Sequence, residues 1–137
     1  MKYNYKIVKN SKGRKRTYSI VVGLRQGYDD TLPLFDRDVV IKAAEEWMIK
    51  REFLNQPYLT GIVSAVGEVL YPHYGKSGKE PVVIFSGEIP NLYFPKEMDG
   101  IIVDMVNELA SILGNSTKQQ RVYVSYCDEN WILETEL

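Results

Sequence analysis

Residues 96–127 read KEMDGIIVDMVNELASILGNSTKQQRVYVSYC, and the spacing of apolar residues changes inside that stretch. Met98, Ile101, Ile102, Met105, Val106, Leu109 and Leu113 recur at steps of three and four, which is the stripe of an amphipathic helix. Pro95 suits the opening of that helix and Gly114 its end, so the spacing predicts a helix over 96–113. From Arg121 the step becomes two: Val122, Val124 and Tyr126 alternate with Tyr123, Ser125 and Cys127, the pattern of a half-buried strand.

Working outward, the same pairing recurs upstream. Asp36 is an N-cap candidate, and Val40, Ala43, Ala44, Trp47 and Met48 predict a helix over 37–53. A long strand is expected from Tyr58 to Tyr71, with Gly61 and Gly67 at bulges, then a polar loop over 72–80. Val82 to Phe85 is continuously apolar, as in a central strand covered on both faces or covered by a partner. At the front, Tyr3, Tyr5 and Ile7 alternate with polar residues, and Tyr18, Ile20, Val22 and Leu24 alternate again after an Asn10–Gly13 turn. Residues 1–28 therefore read as a β-hairpin. A short closing strand is expected over 131–133.

The resulting order is β, βαβ, βαβ. It predicts an α+β domain over 1–137 of the ferredoxin-like split β-α-β type, with an antiparallel or mixed sheet and two helices on one face. The uncovered face is expected to be partly apolar, which predicts a homo-oligomer built through that face or through edge strands. The run Arg121-Val122-Tyr123-Val124-Ser125-Tyr126 after a helix resembles the last long strand of the tautomerase superfamily. That resemblance implies a sheet-and-two-helix fold and trimer-like assembly. The family's catalytic N-terminal proline has no counterpart, because Lys2 follows Met1, so no tautomerase activity is implied.

Composition narrows the function classes. The single Cys127 permits no intrachain disulfide, and with the single His73 it cannot build a Cys/His zinc site. The expectation is a reducing, cytoplasmic setting, with no signal peptide and no apolar run approaching the roughly 20 residues that cross a membrane. Residues 1–28 hold eight Lys and Arg and no Asp or Glu, whereas the rest of the chain holds nine cations against 18 carboxylates. The basic segment is expected to dock on an acidic body, its own or that of a neighbouring copy. Nucleic acid is not an expected partner, since the overall charge is -1.

Topology assigns the loops 23–35, 72–80 and 114–120 to one end of the sheet. They carry Arg25, Gln26, Tyr28, Asp29, His73, Tyr74, Lys76, Ser77 and Lys79 as candidate ligand-binding residues. Arg25, Lys76 and Lys79 could meet an anion, and Tyr28 or Tyr74 could stack on a ring. Ordinary polar surface turns have the same composition. Gly75-Lys76-Ser77 is not a phosphate-binding loop, because Leu70 stands where the first glycine belongs and no helix follows. Gly23 and Gly27 lack the third glycine of a dinucleotide fingerprint. His73 and Cys127 fall at opposite ends of the sheet, too far apart for a dyad. No catalytic residue, metal or cofactor is assigned. The favoured reading is a non-catalytic homo-oligomer that senses or sequesters an anionic, nucleotide-like small ligand, a role suited to phage anti-defence. The alternatives are a protein-docking module that inhibits or regulates a partner through the basic hairpin or the Asn91–Phe94 loop, and a small acid–base enzyme using His73.

Overall fold

Asp36 accepts a hydrogen bond from the Asp38 amide at 2.9 Å and so opens the first helix, α1 (Arg37–Phe53). The structure, a computed structural model, describes residues 3–27 and 31–136. Its strands are β1 (Thr17–Gly23), β2 (Ile62–Val63), β3 (Gly67–His73), β4 (Lys76–Glu88), β5 (Arg121–Tyr126) and β6 (Glu129–Glu134). The second helix, α2 (Asp99–Ser116), follows a 3-10 turn at Lys96–Met98. The architecture is α+β: one six-stranded antiparallel sheet in the order β2-β4-β1-β5-β6, with β3 also paired to β4, and two helices.

Alternation decides what each strand buries. Tyr18, Ile20 and Val22 of β1 face the helices, as do Val83 and Phe85 of β4 and Val122, Val124 and Tyr126 of β5. They meet Val40, Ala44 and Trp47 of α1 and Ile102, Met105, Val106, Leu109 and Leu113 of α2 in one core. The helices are fastened to each other at the surface. Trp47 Nε1 donates to Glu108 at 2.8 Å, Arg51 pairs with the same carboxylate at 3.2 Å, and the Arg51 guanidinium lies 5.3 Å from the Trp47 ring centre.

Four expectations need correction. The hairpin over 1–28 does not form, since residues 3–16 contain no strand. The reason is topological: both edges of β1 are occupied, by β4 and β5, so no edge remains for a preceding strand. The strand expected over 58–71 is broken at 64–66 into β2 and β3. The loop expected over 72–80 is a two-residue turn, with Tyr74 (φ 49°) and Gly75 (φ 77°) both left-handed, and β4 begins at Lys76. Val82–Phe85 is central but not covered on both faces, because Ile84 remains 38% exposed. The strand that resembles the closing strand of tautomerases is not the last one here: β6 follows it after Cys127 and Asp128.

Arg16 ties the sheet to α2. Its side chain is 6% exposed, and it meets Asp99 at 3.1 Å, Asn91 Oδ1 at 3.1 Å and the Phe94 carbonyl. Tyr126 donates its hydroxyl to the same Asp99 oxygen at 2.6 Å. That bond and Arg16 hold the Asp99 carboxyl below its ordinary range, while burial and Asp99 push the Tyr126 hydroxyl up. Replacing Arg16 by Met should cost about 3 kcal/mol, because it strands three acceptors at once. Asp99→Asn should lower the melting temperature at pH 7. A carboxyl with a depressed folded pKa contributes stability above its unfolded pKa, and that contribution is lost as pH falls through the folded value. The gap between parent and variant should therefore narrow below about pH 4 in thermal unfolding, and a gap independent of pH would assign Asp99 a packing role alone.

Candidate functional site

The face of the sheet away from the helices is uncovered. Val21 and Gly23 of β1, Glu80 and Val82 of β4, and Arg121 and Tyr123 of β5 project there by alternation. The β3–β4 hairpin runs past the end of β1, because Gly23 pairs with Val82 and β4 starts six residues earlier. This arm brings Val69, Tyr71 and His73 over the same face. Together these residues line a groove of about 600 Å³, within the roughly 300–1,000 Å³ usual for small-molecule sites. A second cavity of about 420 Å³ adjoins it, sharing Glu80, Arg121 and Tyr123 and adding Gln26, Leu32, Lys118 and Gln119.

Glu80 stands at the junction. It is half-buried opposite Val69, and loss of water pushes its carboxyl pKa up. The floor beneath it is Gly23, where a methyl group would lie 2.6 Å from Glu80 Oε1 and would collide with Gln119 Oε1. Gln119 is held in place by donating Nε2 to the Arg25 carbonyl at 3.0 Å and to the Thr117 carbonyl at 2.9 Å. The loops 24–26 and 117–119 therefore meet, as the sorting of loops required. Tyr71 lies across Gly78, its direct partner in the ladder, and meets His73 edge-on with ring centres 6.0 Å apart. Arg121 reaches Glu134 at 3.3 Å on the groove's rim.

The residues singled out in the sequence are spread among several places. His73 lines the groove and Gln26 the adjoining cavity. Arg25 is partly buried in a bridge to Leu34. Tyr74 is 95% exposed at the tip of the arm, where its ring stacks edge-on against His73 at 4.7 Å. Lys76 and Ser77 are exposed along the arm, and Lys79 pairs with Glu68 at 3.9 Å on the side away from the groove. Tyr28 and Asp29 lie outside the described residues. Arg25, Lys76 and Lys79 thus do not converge, because a two-residue turn commits 76–80 to strand, where successive side chains point to opposite faces. Glu80, Tyr71, Arg121 and Tyr123 were missed for the same reason: once Tyr74-Gly75 is placed as the turn, alternation puts Tyr71 and Glu80 on one face.

The architecture is thus an α+β sheet with two helices on one face and a partly apolar groove on the other. Two solved structures share the fold. A phage SAM lyase in its apo state matches with a TM-score of 0.60 at 20% identity, over 89% of this chain and 90% of that one. A phage SAM lyase in complex with S-methyl-5'-thioadenosine matches with a TM-score of 0.60 at 15% identity, over 96% and 98%. At these identities the likeness is one of fold. No protein-family model and no curated protein sequence matches the chain.

A carboxyl whose folded pKa is raised weakens the fold as pH rises through that value. Glu80→Gln should therefore raise the melting temperature at neutral pH, and the gain should shrink as pH falls toward the ordinary carboxylate range of about 4. A variant that is less stable at every pH would mean that the Glu80 carboxylate is satisfied in the fold.

Proposed function

We propose that this protein binds a nucleoside of the S-adenosylmethionine class in the groove on its open sheet face. The observation that carries the reading is Glu80: a half-buried carboxylate with a raised pKa, set among Val21, Val69, Val82 and two tyrosines. Among the described residues Glu80 makes no ion pair, Arg121 of the same groove being paired with Glu134, and a carboxylate so placed is suited to a ligand that brings its own positive charge. A sulfonium or ammonium group would supply it. Tyr71, His73 and Tyr123 offer ring faces and edges to a purine, and Arg121 at the rim suits the ligand's carboxylate. The fold shared with phage SAM lyases supports this choice over a phosphate-bearing nucleotide, for which the groove holds one arginine and no glycine-rich turn.

A second reading is favoured by the same comparison, because the two matching structures are of SAM lyases. Breaking a sulfonium S–C bond returns the electron pair to sulfur as a neutral thioether, while the carbon it leaves forms a bond to the ligand's own carboxylate oxygen, so that one positive and one negative charge are lost together. A mostly apolar groove favours such a loss of charge over the same step in water. In a phage setting, sequestering or splitting S-adenosylmethionine would withhold a methyl donor, which is the anti-defence role in chemical terms. The reading includes two finer structural statements. The strands without β6, with β2 and β3 counted as one interrupted strand, form a ferredoxin-like unit. Further copies of the chain associate through the open face or the edge strands.

Titration calorimetry with S-adenosylmethionine and with S-methyl-5'-thioadenosine tests the binding. Micromolar affinity is expected, with Tyr71→Ala and Glu80→Gln each weakening it by about 10-fold or more. Chromatography of the incubated mixture tests the lyase reading through release of the thioether. No heat with either compound, in protein shown to be folded, would remove the proposal.

A further inference from the structure

We infer that residues 3–8 are a docking strand that pairs with the outer edge of β6 in a second copy of this chain. The segment has the alternation of a strand, yet among the described residues it joins no ladder, and Tyr3, Tyr5 and Ile7 are 79%, 85% and 71% exposed; only its last carbonyl, of Val8, is bonded, to Ser11. Isolated apolar side chains on a surface need no explanation, but three at strand spacing on an unpaired backbone describe a strand without its sheet. The chain that follows is anchored elsewhere. Asn91 Nδ2 donates to the Arg14 carbonyl at 3.2 Å, and Arg16 is bound to Asp99, Asn91 and Phe94. The chain is thus fixed at Arg14 and Arg16, and no described strand pairs with residues 3–8.

The sheet has two outer edges, and one is blocked. On the β2–β3 side, Arg37 donates Nε to the Ser64 carbonyl at 2.7 Å and Nη2 to the Val63 carbonyl at 3.2 Å, which occupies the acceptors an incoming strand would use. Farther along, Pro72 lacks the N–H that its position in β3 would turn outward. The β6 edge has neither defence. Tyr126 pairs with Glu129 across a two-residue turn, so Glu129, Trp131 and Leu133 direct their backbone groups to β5. Asn130, Ile132 and Glu134 then present theirs outward, and the Ile132 side chain is 51% exposed.

Charge selects the partner. Asp128, Glu129, Glu134 and Glu136 give the β6 hairpin four carboxylates and no Lys or Arg beyond the turn. Two β6 edges therefore repel each other. The strand carries Lys6 and is followed by Lys9 and Lys12, with no carboxylate over 3–16, while Lys15 and Arg16 are already paired with Glu88 and Asp99. A basic, apolar-alternating strand from a second copy complements that edge in hydrogen bonding, in side-chain pattern and in sign.

Native mass spectrometry and light scattering on three proteins test this. The full chain should be an oligomer at micromolar concentration, weakened by added salt. A variant lacking residues 3–8 and the variant Ile132→Pro should both lose that assembly. The proline removes only an outward-facing N–H, so the β5–β6 ladder and the circular dichroism spectrum should survive it. Amide exchange should slow at Asn130, Ile132 and Glu134 in the full chain and not in the shortened one. A monomeric full chain overturns both this inference and assembly through the open face. An oligomer that persists without residues 3–8 overturns this inference alone and leaves the open face as the contact. Loss on shortening but not with Ile132→Pro overturns β6 as the receiving edge.

Discussion

The turn at Tyr74-Gly75 sets the register of β4, and β4 organises the sheet. Two left-handed residues in succession fold the chain back within two positions. The pairing that follows runs without slip from His73–Lys76 to Gly67–Val82. Because β4 is thirteen residues long and β1 only seven, half of it lies in the sheet and half extends beyond. That overhang carries Val69, Tyr71 and His73 over the open face and puts Glu80 at the mouth of the groove. A shift of one residue in β3 would turn Val69, Tyr71 and His73 to the opposite side and remove that wall of the groove while leaving the core intact, whereas a shift in β4 would also turn Val83 and Phe85 out of the core.

The opposite end of the sheet is fixed by charge. Arg16 of the basic segment is buried against Asp99 at the first turn of α2, with Tyr126 of β5 sharing the carboxylate. A carboxylate there also suits the helix N-terminus. One guanidinium thus joins the start of β1, the 91–94 loop and the helix, and Phe94 is buried beside it while Tyr93 stays exposed. Within the chain, Lys15 and Arg16 of the basic segment meet carboxylates, those of Glu88 and Asp99. The rest of that segment, from Tyr3 to Val8, stays exposed.

Legibility in the sequence followed burial. The helices and strands β1 and β5 bury one face each, so their periods of 3.6 and 2 were plain, and the α+β class followed. The first strand of the arm falls mostly within the strand expected over 58–71, but the second has little core on either side: from Lys76 to Pro81 no residue is fully buried, so no hydrophobic alternation marks it as strand. Its glycines and lysines have the composition of a loop. The first segment failed in the other direction. Its alternation is strand-like, but a pattern says nothing of whether an edge is free, and β1 had none to offer. The groove could not be assembled from sequence because it joins four strands from three distant parts of the chain, with Gly23 serving as empty space under Glu80 and Gln119.

Glu80 and Gly23 together separate function from structure at this site. Burying half a carboxylate without a compensating cation weakens a fold, and a glutamine of the same shape would avoid that cost. A glycine inside a strand also gives up packing and conformational restraint. Neither is needed by the core, which lies on the other face of the sheet. Both make sense as parts of one device, in which the glycine clears the space and the carboxylate waits there partly desolvated. Local departures from the stabilising choice gather where a ligand is to be held. Here they gather on the one face of the sheet that the helices leave open.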